Sequence, residues 1–181
     1  YQYKKDSKTA FTYFKLAAKQ NHPYSQYILG YFYLNTNSFS DMMKSADFFI
    51  QSSLNNCPDS FFYTGYFYHE GKYICRDINK CIYYYKEAST YNNFYAKNNL
   101  GIIYKNGIEG KIPKNCSFAI EYFDETIRRS NDKVSMYNLA HLYIYEDKSK
   151  LSIQLAIELL NKSIKQQFHP SEILLDIVYF I

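Results

Sequence analysis

A short amphipathic motif recurs along the chain, and this recurrence limits the possible folds more than any other feature of the sequence. The clearest copy, YAKNNLGIIYKNG from Tyr95 to Gly107, places Ala96, Leu100 and Gly101 on one side of a helix. The small residue of the motif is Gly30, Gly65, Gly101 and Ala140 in successive copies, with Asp176 in the last copy. A glycine inside a helix costs roughly 1 kcal/mol relative to alanine, so we expect these glycines to let a neighbouring helix approach closely.

A second helical pattern lies between the copies of the first. A small residue is followed by large apolar residues three and four positions later, and by another small residue at the seventh position, which again forms one helical face. The leading small residues are Ala10, Ala46, Cys81, Ala119 and Ala156. These positions step by 36, 35, 38 and 37 residues. Two helices within a period of this length predict an all-α fold, an α-solenoid of stacked helix pairs.

The repeats run through the whole chain, which predicts a single helical-repeat array over residues 1–181. We expect about four hairpins with a half-unit at each end. A solenoid needs polar capping units, whereas this sequence begins at Tyr1 with the second helix type and ends in the apolar stretch IVYFI. The interpretation is therefore a fragment of a longer protein.

The charge balance argues against a nucleic-acid partner. The net charge is +4, from 21 basic and 17 acidic residues, which is mild for a protein that binds phosphate backbones. No apolar run approaches the roughly 20 residues that span a bilayer, and no signal-peptide pattern opens the chain. The predicted partner is therefore a protein or a peptide, with no membrane segment in this stretch.

The four cysteines do not recur with the repeat. Cys57 falls in a turn, Cys75 in a loop, Cys81 at a small core position and Cys116 near a helix start. A disulfide framework in a repeat protein would be expected to recur, so the pattern favours a reducing compartment such as the cytoplasm, with the endoplasmic-reticulum lumen as the alternative. Cys75 and Cys81 could still meet across a loop, which leaves their redox state open.

The sequence contains no recognisable catalytic or metal-binding constellation. His22-Pro23 and His169-Pro170 occupy matching turns, which favours a structural role. His69-Glu70 lacks the second histidine of a zinc-protease helix, and no cysteine pair has zinc-finger spacing. We therefore predict no catalytic residue, no metal and no cofactor, and a protein that is not an enzyme.

The pattern A-x3-L-G-x2-Y-x2-G, a loop with an aspartate, and then A-x2-Y-Y/F-x2-A-A resembles the Sel-one-like repeat family, which is related to tetratricopeptide repeats. The first half is carried by Ala96, Leu100, Gly101, Tyr104 and Gly107, and the second half by Asp77, Cys81, Tyr84, Tyr85 and Ala88. The resemblance covers nearly the whole chain. It implies a right-handed superhelix of antiparallel helix pairs that acts as an adaptor and has no shared active site.

The resemblance also implies where a partner would bind, because in related repeats the helix with the Leu-Gly pair lines the concave wall. By this analogy the candidate partner-binding residues are Tyr27, Tyr31, Tyr66, His69, Ile102, Lys105, His141 and Tyr145. Tyrosine and histidine combine an apolar body with a polar tip, which suits a groove for an extended peptide or a helix. The alternative is that several of these tyrosines pack between helices.

The leading functional hypothesis is a protein-interaction scaffold. The resemblance includes lumenal adaptors of endoplasmic-reticulum protein degradation, which is one alternative. An RNA-binding helical repeat is another, because pentatricopeptide repeats have a similar period and read one base per unit. The basic residues form no stripe at a fixed repeat position, and this argues against RNA.

Overall fold

The chain is helical throughout the part that the computed structural model describes, which is residues 2–36 and 38–180, with side chains from residue 8 onward. The helices are α1 (Gln2–Lys19), α2 (Pro23–Leu34), α3 (Phe39–Leu54), α4 (Pro58–Glu70), α5 (Ile78–Thr90), α6 (Phe94–Asn106), α7 (Cys116–Ser130), α8 (Lys133–Leu142), α9 (Lys150–Ile164) and α10 (His169–Phe180). Tyr143–Asp147 continues α8 as a π-helical turn. Within these ranges, β-structure is limited to an isolated bridge between Ile108 and Ile112. None of the described helices combines the length and the hydropathy that a bilayer-spanning segment requires.

The helices pack as consecutive pairs. The most extensive contacts are between α2 and α3, α4 and α5, α6 and α7, and α8 and α9, while α1 packs on α2 and α10 on α9. The short connections make paired helices antiparallel neighbours. The predicted all-α repeat of helix pairs is therefore confirmed. The chain divides into two compact parts, residues 1–93 and 94–181, which we call unit 1 and unit 2.

A buried aromatic ring lies against the motif glycine in three of the pairs. A Cβ atom added to Gly65 would lie 2.6 Å from the ring of Tyr85, and one added to Gly101 would lie 2.5 Å from the ring of Phe123. The equivalent distance from Gly30 to the ring of Phe49 is 3.0 Å. The distances at Gly65 and Gly101 leave no space for a methyl group unless the ring moves, and the contact at Gly30 is tight, so the absent side chain lets each ring pack closely on the helix backbone.

In the pair formed by α8 and α9, different residues occupy the positions of the glycine and the aromatic ring. Ala140 takes the place of the glycine, and it shares a core cluster with the smaller side chains of Ala156 and Leu160. Phe123, in the neighbouring cluster of unit 2, has no aromatic counterpart in this one. A methyl group and a leucine thus fill the volume that a glycine and a phenyl ring occupy elsewhere.

Buried hydroxyl groups join successive pairs. In unit 1 the Ser53 hydroxyl lies 2.8 Å from that of Ser60 and 2.7 Å from that of Thr64, which links α3 to α4. In unit 2 the Ser163 hydroxyl lies 2.8 Å from that of Ser171, which links α9 to α10. Each of these buried hydroxyl groups has a hydrogen-bond partner, so none carries the free-energy cost of an unpaired buried polar group.

A residue in the left-handed conformation ends the helix before each turn between pairs. Asn21, Asn56, Asn92 and Asn131 have φ angles of 61°, 60°, 60° and 52°, and Gln167 has 59°. Asparagine tolerates this region better than most residues, since its short side chain can bond locally. The turns at Asn21, Asn92 and Asn131 therefore follow from the backbone geometry that asparagine favours.

One predicted repeat position departs from the others. Ala46, Cys81, Ala119 and Ala156 are fully buried, whereas Ala10 is exposed. Helix α1 packs mainly on α2, and this packing leaves Ala10 exposed. The pattern of small and large residues in α1 matches the other helices, but burial depends on a neighbour that packs on the same face.

Candidate functional site

Five tyrosines lie on the solvent-facing side of α2 and α4 in unit 1, which we call the outer face of these helices. We call the five residues the tyrosine cluster. Tyr24, Tyr27 and Tyr31 are three and four residues apart on α2, and Tyr63 and Tyr66 are three apart on α4, so each set shares one helix face. The ring centroids of Tyr27 and Tyr63 are 6.2 Å apart, as are those of Tyr31 and Tyr63. These are ordinary aromatic packing distances, so the two helices present a joined aromatic surface.

Phe49 supports this cluster from the core. It is fully buried on α3, and its ring stacks on that of Tyr63 with centroids 4.4 Å apart and 9° between the planes. Tyr27 lies 5.9 Å from the same ring and is half-buried. Burial, with smaller contributions from Tyr63 and Asp59, raises the pKa of Tyr27 to about 12. The predicted binding residue Tyr27 therefore serves mainly as packing beneath its exposed neighbours.

Tyr31 and Tyr66 present the aromatic surface to solvent. Their side chains are 47% and 37% exposed, and Tyr24, which is not among the predicted binding residues, is 50% exposed. Its position one helical turn before Tyr27 was a signal that could have identified it. The fourth predicted residue of unit 1, His69, is half-buried against Tyr85 at 6.3 Å. Burial, with Arg76 nearby, lowers the pKa of His69, although Glu70 opposes the change.

The corresponding helices of unit 2 carry a hydrogen-bond network instead of a tyrosine cluster. Asn98 Oδ1 accepts hydrogen bonds from Ser135 Oγ at 3.2 Å and from Asn138 Nδ2 at 3.3 Å. Lys105 Nζ donates to Asn138 Oδ1 at 3.3 Å. Burial, and then the charge of Lys114, lower the pKa of Lys105. The predicted binding residue Lys105 is thus partly committed to the contact between α6 and α8.

Ile102 is also partly committed to the interior. It is half-buried and packs against the core cluster of Ala119, Phe123, Leu139 and Leu142. An aliphatic side chain in this position contributes apolar contact rather than a directed polar group. Ile102, which was predicted to bind a partner, therefore also contributes to the core packing of unit 2.

His141 and Tyr145 lie together at the end of α8. Their ring centroids are 4.5 Å apart, and Tyr145 is 40% exposed. Tyr145 also lines a cavity of about 420 Å³ with Ile144, Ile153 and Val178. Burial is the main cause that lowers the pKa of His141, so its imidazole is neutral at neutral pH.

An ion pair between a buried lysine and a half-buried glutamate in unit 2 was not predicted from the sequence. The Lys97 side chain is only 5% exposed, and its Nζ lies 2.5 Å from Glu125 Oε1 on α7. Arg129 Nε lies 3.2 Å from the same oxygen. The hydrogen bond from Lys97 is the main cause that lowers the pKa of Glu125. Lys97 sits four residues before Gly101, where the other copies carry Gln26, Phe61, Met136 and Glu172. The repeat therefore includes charged residues at this position, and the lysine resembles a surface residue in the sequence.

The cysteines and acidic groups offer little for catalysis or metal binding. All four cysteines are free thiols, and burial raises the pKa of Cys81 to about 12, which makes its thiolate scarce at neutral pH. Among the described residues, no group of three or more His, Cys, Asp or Glu side chains is arranged to hold a metal ion.

Comparison with solved structures places the fold among known helical repeats. The protein c5321, a protective antigen present in uropathogenic Escherichia coli strains that displays an SLR fold, superimposes with a TM-score of 0.82 at 23% identity over 94% of this chain and 36% of its own. A Sel1 repeat protein from Oxalobacter formigenes gives a TM-score of 0.73 at 22% identity, covering 91% of this chain and 66% of its own. A putative sel1 repeat protein from Klebsiella pneumoniae subsp. pneumoniae gives 0.58 at 17% identity, covering 96% and 86%. The predicted α-solenoid fold is therefore confirmed.

The family was also identified from the sequence. No curated protein matches the chain. The chain spans about a third of the length of c5321. A profile of the Sel1 repeat matches residues 2–22, 23–35, 60–90, 94–131 and 133–168. Repeats of this type are helical scaffolds that generally mediate protein interactions. The chain belongs to the Sel1 repeat family, which confirms the resemblance noted in its repeat pattern.

Proposed function

We propose that this chain is a non-enzymatic interaction scaffold that binds a peptide or protein segment on the outer face of its glycine-bearing helices. The observation that carries the proposal is the tyrosine cluster of unit 1, in which Tyr24, Tyr31 and Tyr66 remain exposed above rings that are packed on Phe49. Several exposed aromatic residues on one face are typical of a protein-binding surface.

The packing beneath the cluster favours binding because it reduces the entropy lost on association. Tyr63 is stacked on Phe49, and Tyr27 contacts both rings, so the exposed rings rest on side chains that are already ordered. A tyrosine has few rotatable bonds and buries a large area, and tyrosines are frequent among the residues that dominate binding energy. Such a surface can bind a partner without reorganising its backbone.

The chemistry of the described residues gives less support to an enzyme. The two histidines among the predicted binding residues, His69 and His141, are half-buried against aromatic rings, and the Cys81 thiol is buried with a raised pKa. A nucleophile needs an adjacent base within hydrogen-bond reach, and Cys81 faces the core instead. A scaffold function accounts for the exposed tyrosines, whereas a hydrolase function leaves them without a role.

The proposal can be tested by selecting peptides from a displayed random library on the immobilised protein. We expect the wild-type chain to enrich a set of related peptides, and the variant with Tyr31→Ala and Tyr66→Ala to lose at least tenfold in affinity for them, because alanine scanning of central aromatic residues costs about 2 kcal/mol or more. Far-ultraviolet circular dichroism should remain that of the wild type.

Tyr13→Ala provides a matched control, since Tyr13 is a similarly exposed tyrosine on α1. Its affinity for the selected peptides should equal that of the wild type. Peptides that bind the Tyr31→Ala, Tyr66→Ala variant as tightly as the wild type would contradict the proposed surface.

A further inference from the structure

Two carboxylates lie at the ends of the tyrosine cluster. On α4 the residues Asp59, Tyr63, Tyr66 and Glu70 are spaced four, three and four positions apart, so they form one stripe along the helix. Both carboxylate residues are exposed. An aromatic surface with an acid at each end therefore runs along α4, beside the tyrosines of α2.

The charges of these two carboxylates reach the tyrosines. The Asp59 charge is one of the causes that raise the pKa of Tyr27, and the Glu70 charge, after burial, raises the pKa of Tyr66. Lys72 has the opposite effect on Tyr66, but its ammonium group lies 5.2 Å from the centroid of the Tyr73 ring. Within the described part of the chain, neither Asp59 nor Glu70 forms an ion pair with a basic side chain.

This combination of groups matches the chemistry of arginine. A guanidinium group stacks on aromatic faces, forms bidentate hydrogen bonds with carboxylates, and is more weakly hydrated than an ammonium group. A phosphate group would instead be repelled by the two carboxylates, although the chain as a whole is slightly basic. The surface is therefore complementary to a positively charged peptide and not to a nucleic acid.

We infer that the tyrosine cluster binds an extended peptide segment with two arginines, one paired with Asp59 and the other with Glu70, while the intervening residues lie over Tyr31, Tyr63 and Tyr66. This inference rests on the proposed function and adds the class of the partner. The two acids are eleven positions apart on α4, which corresponds to about 16 Å along the helix. An extended chain covers this length in about five residues, so the arginines should be about five positions apart.

The test uses a defined probe rather than a library. A fluorescein-labelled peptide of glycine, serine and proline with two arginines five positions apart is titrated with the protein, and fluorescence anisotropy gives the dissociation constant. A second peptide carries citrulline at both positions, which keeps the shape and removes the charge. We expect the citrulline peptide to bind about tenfold more weakly, because each exposed ion pair contributes modestly.

Protein variants then identify the groups that the arginines contact. Asp59→Asn combined with Glu70→Gln should weaken the arginine peptide about tenfold and leave the citrulline peptide unchanged. Asp47→Asn is the control, since Asp47 is another exposed acid of unit 1, on α3. Tyr31→Ala with Tyr66→Ala should weaken both peptides. Higher salt should weaken the arginine peptide more than the citrulline peptide.

Four outcomes would overturn the inference. These are no binding of the arginine peptide, equal binding of both peptides, an unchanged affinity in the Asp59→Asn, Glu70→Gln variant, or displacement of the peptide by single-stranded oligouridine. If library peptides without basic residues still depend on Tyr31 and Tyr66, the proposed function stands and the arginine inference alone fails. If no peptide from either source depends on those tyrosines, both fail.

Discussion

Units 1 and 2 share the arrangement of helix pairs packed through a small residue, and they differ most in the groups that equivalent helices present on their outer faces. The residue after the motif glycine or alanine is Tyr31 and Tyr66 in unit 1, and Ile102 and His141 in unit 2. In unit 1 the face consists of tyrosine rings packed on Phe49. In unit 2 it consists of a network of amide, ammonium and hydroxyl groups, with one histidine–tyrosine contact.

The difference shows which positions the repeat constrains. A residue that faces the partner helix must match the volume that the glycine or alanine leaves, so its identity varies little between copies. A residue on the outer face meets no such requirement and can provide aromatic or hydrogen-bonding chemistry on the same backbone. The repeat thus acts as a scaffold in the physical sense, because the packing that holds the helices is separate from the groups that face solvent.

The largest expected effect tests whether the two interiors are equivalent. Gly65→Val in unit 1 and Gly101→Val in unit 2 should each lower the free energy of unfolding by about 3 kcal/mol, because a branched side chain would overlap the ring of Tyr85 or Phe123. Urea denaturation followed by circular dichroism measures both. Ala140→Gly is the reference and should cost only about 1 kcal/mol, mainly through helix propensity. A valine variant with wild-type stability would show that the rings can move aside.

The second prediction concerns the ion pair between Lys97 and Glu125, which has no counterpart at the equivalent positions of unit 1. Glu125→Ala leaves the buried ammonium of Lys97 without its closest carboxylate, which should lower the free energy of unfolding by about 3 kcal/mol. Lys97→Met should be nearly neutral or stabilising, since Met136 is fully buried at the equivalent position of the next copy. The double variant should recover most of the stability lost by Glu125→Ala. If Lys97→Met is as damaging as Glu125→Ala, the ion pair is a net source of stability.

The third prediction, a smaller change in the free energy of unfolding, concerns whether the hydrogen bonds on the polar face of unit 2 also stabilise its helix packing. Asn138→Ala removes the acceptor of Lys105 and the donor to Asn98, so we expect a loss of about 1 kcal/mol in the free energy of unfolding. Tyr31→Ala on the aromatic face of unit 1 should cost less, because that side chain is exposed. Equal losses in urea denaturation would mean that the two faces do not differ in structural importance.

The smallest expected effect is a pH dependence that the two faces should share. Burial lowers the folded-state pKa of both His69 and His141 below the value of the unfolded chain. The unfolded chain therefore binds more protons, and each histidine contributes stability that is present near pH 7.5, begins to fall at the unfolded-state pKa near 6.5, and is lost as the pH falls through the lower folded-state pKa. We expect His69→Gln or His141→Gln to reduce the loss of stability between pH 7.5 and pH 5.5 by less than about 1 kcal/mol each. An unchanged pH slope in either variant would contradict the lowered pKa of that residue.

Most of the fold could be predicted because the residue pattern that specifies each helix contact occurs several times along the chain. The turn at Asn131, the small residue at Gly101 and the leading small residue at Ala119 have counterparts at similar spacings in other copies. An irregularity in one copy therefore does not hide the pattern. Local irregularities could not be predicted in this way. The π-helical turn at Tyr143–Asp147 occurs in one copy of the motif, and the exposure of Ala10 depends on the absence of packing at that face rather than on its own sequence.

The candidate surface was predicted less completely than the fold. Tyr31 and Tyr66 were named from their place in the repeat, and they are exposed, but their role in binding stays a prediction. Tyr24 was not named, and Tyr27 and Ile102 proved to be partly buried. A helix turns about 100° per residue, so an error of one position decides whether a side chain faces the core or the solvent.

The amino-acid pattern was enough to specify the helix pairs, their period and the positions that need a small side chain, because these depend on a local periodicity that is repeated five times. Helix packing decided which tyrosines remain accessible, that the buried Lys97 pairs with Glu125, and that the tyrosine rings of α2 lie beside those of α4. The physical reason is that helical periodicity specifies the angle at which a side chain leaves its helix, whereas accessibility and charge pairing depend on what the neighbouring helices place opposite that side chain.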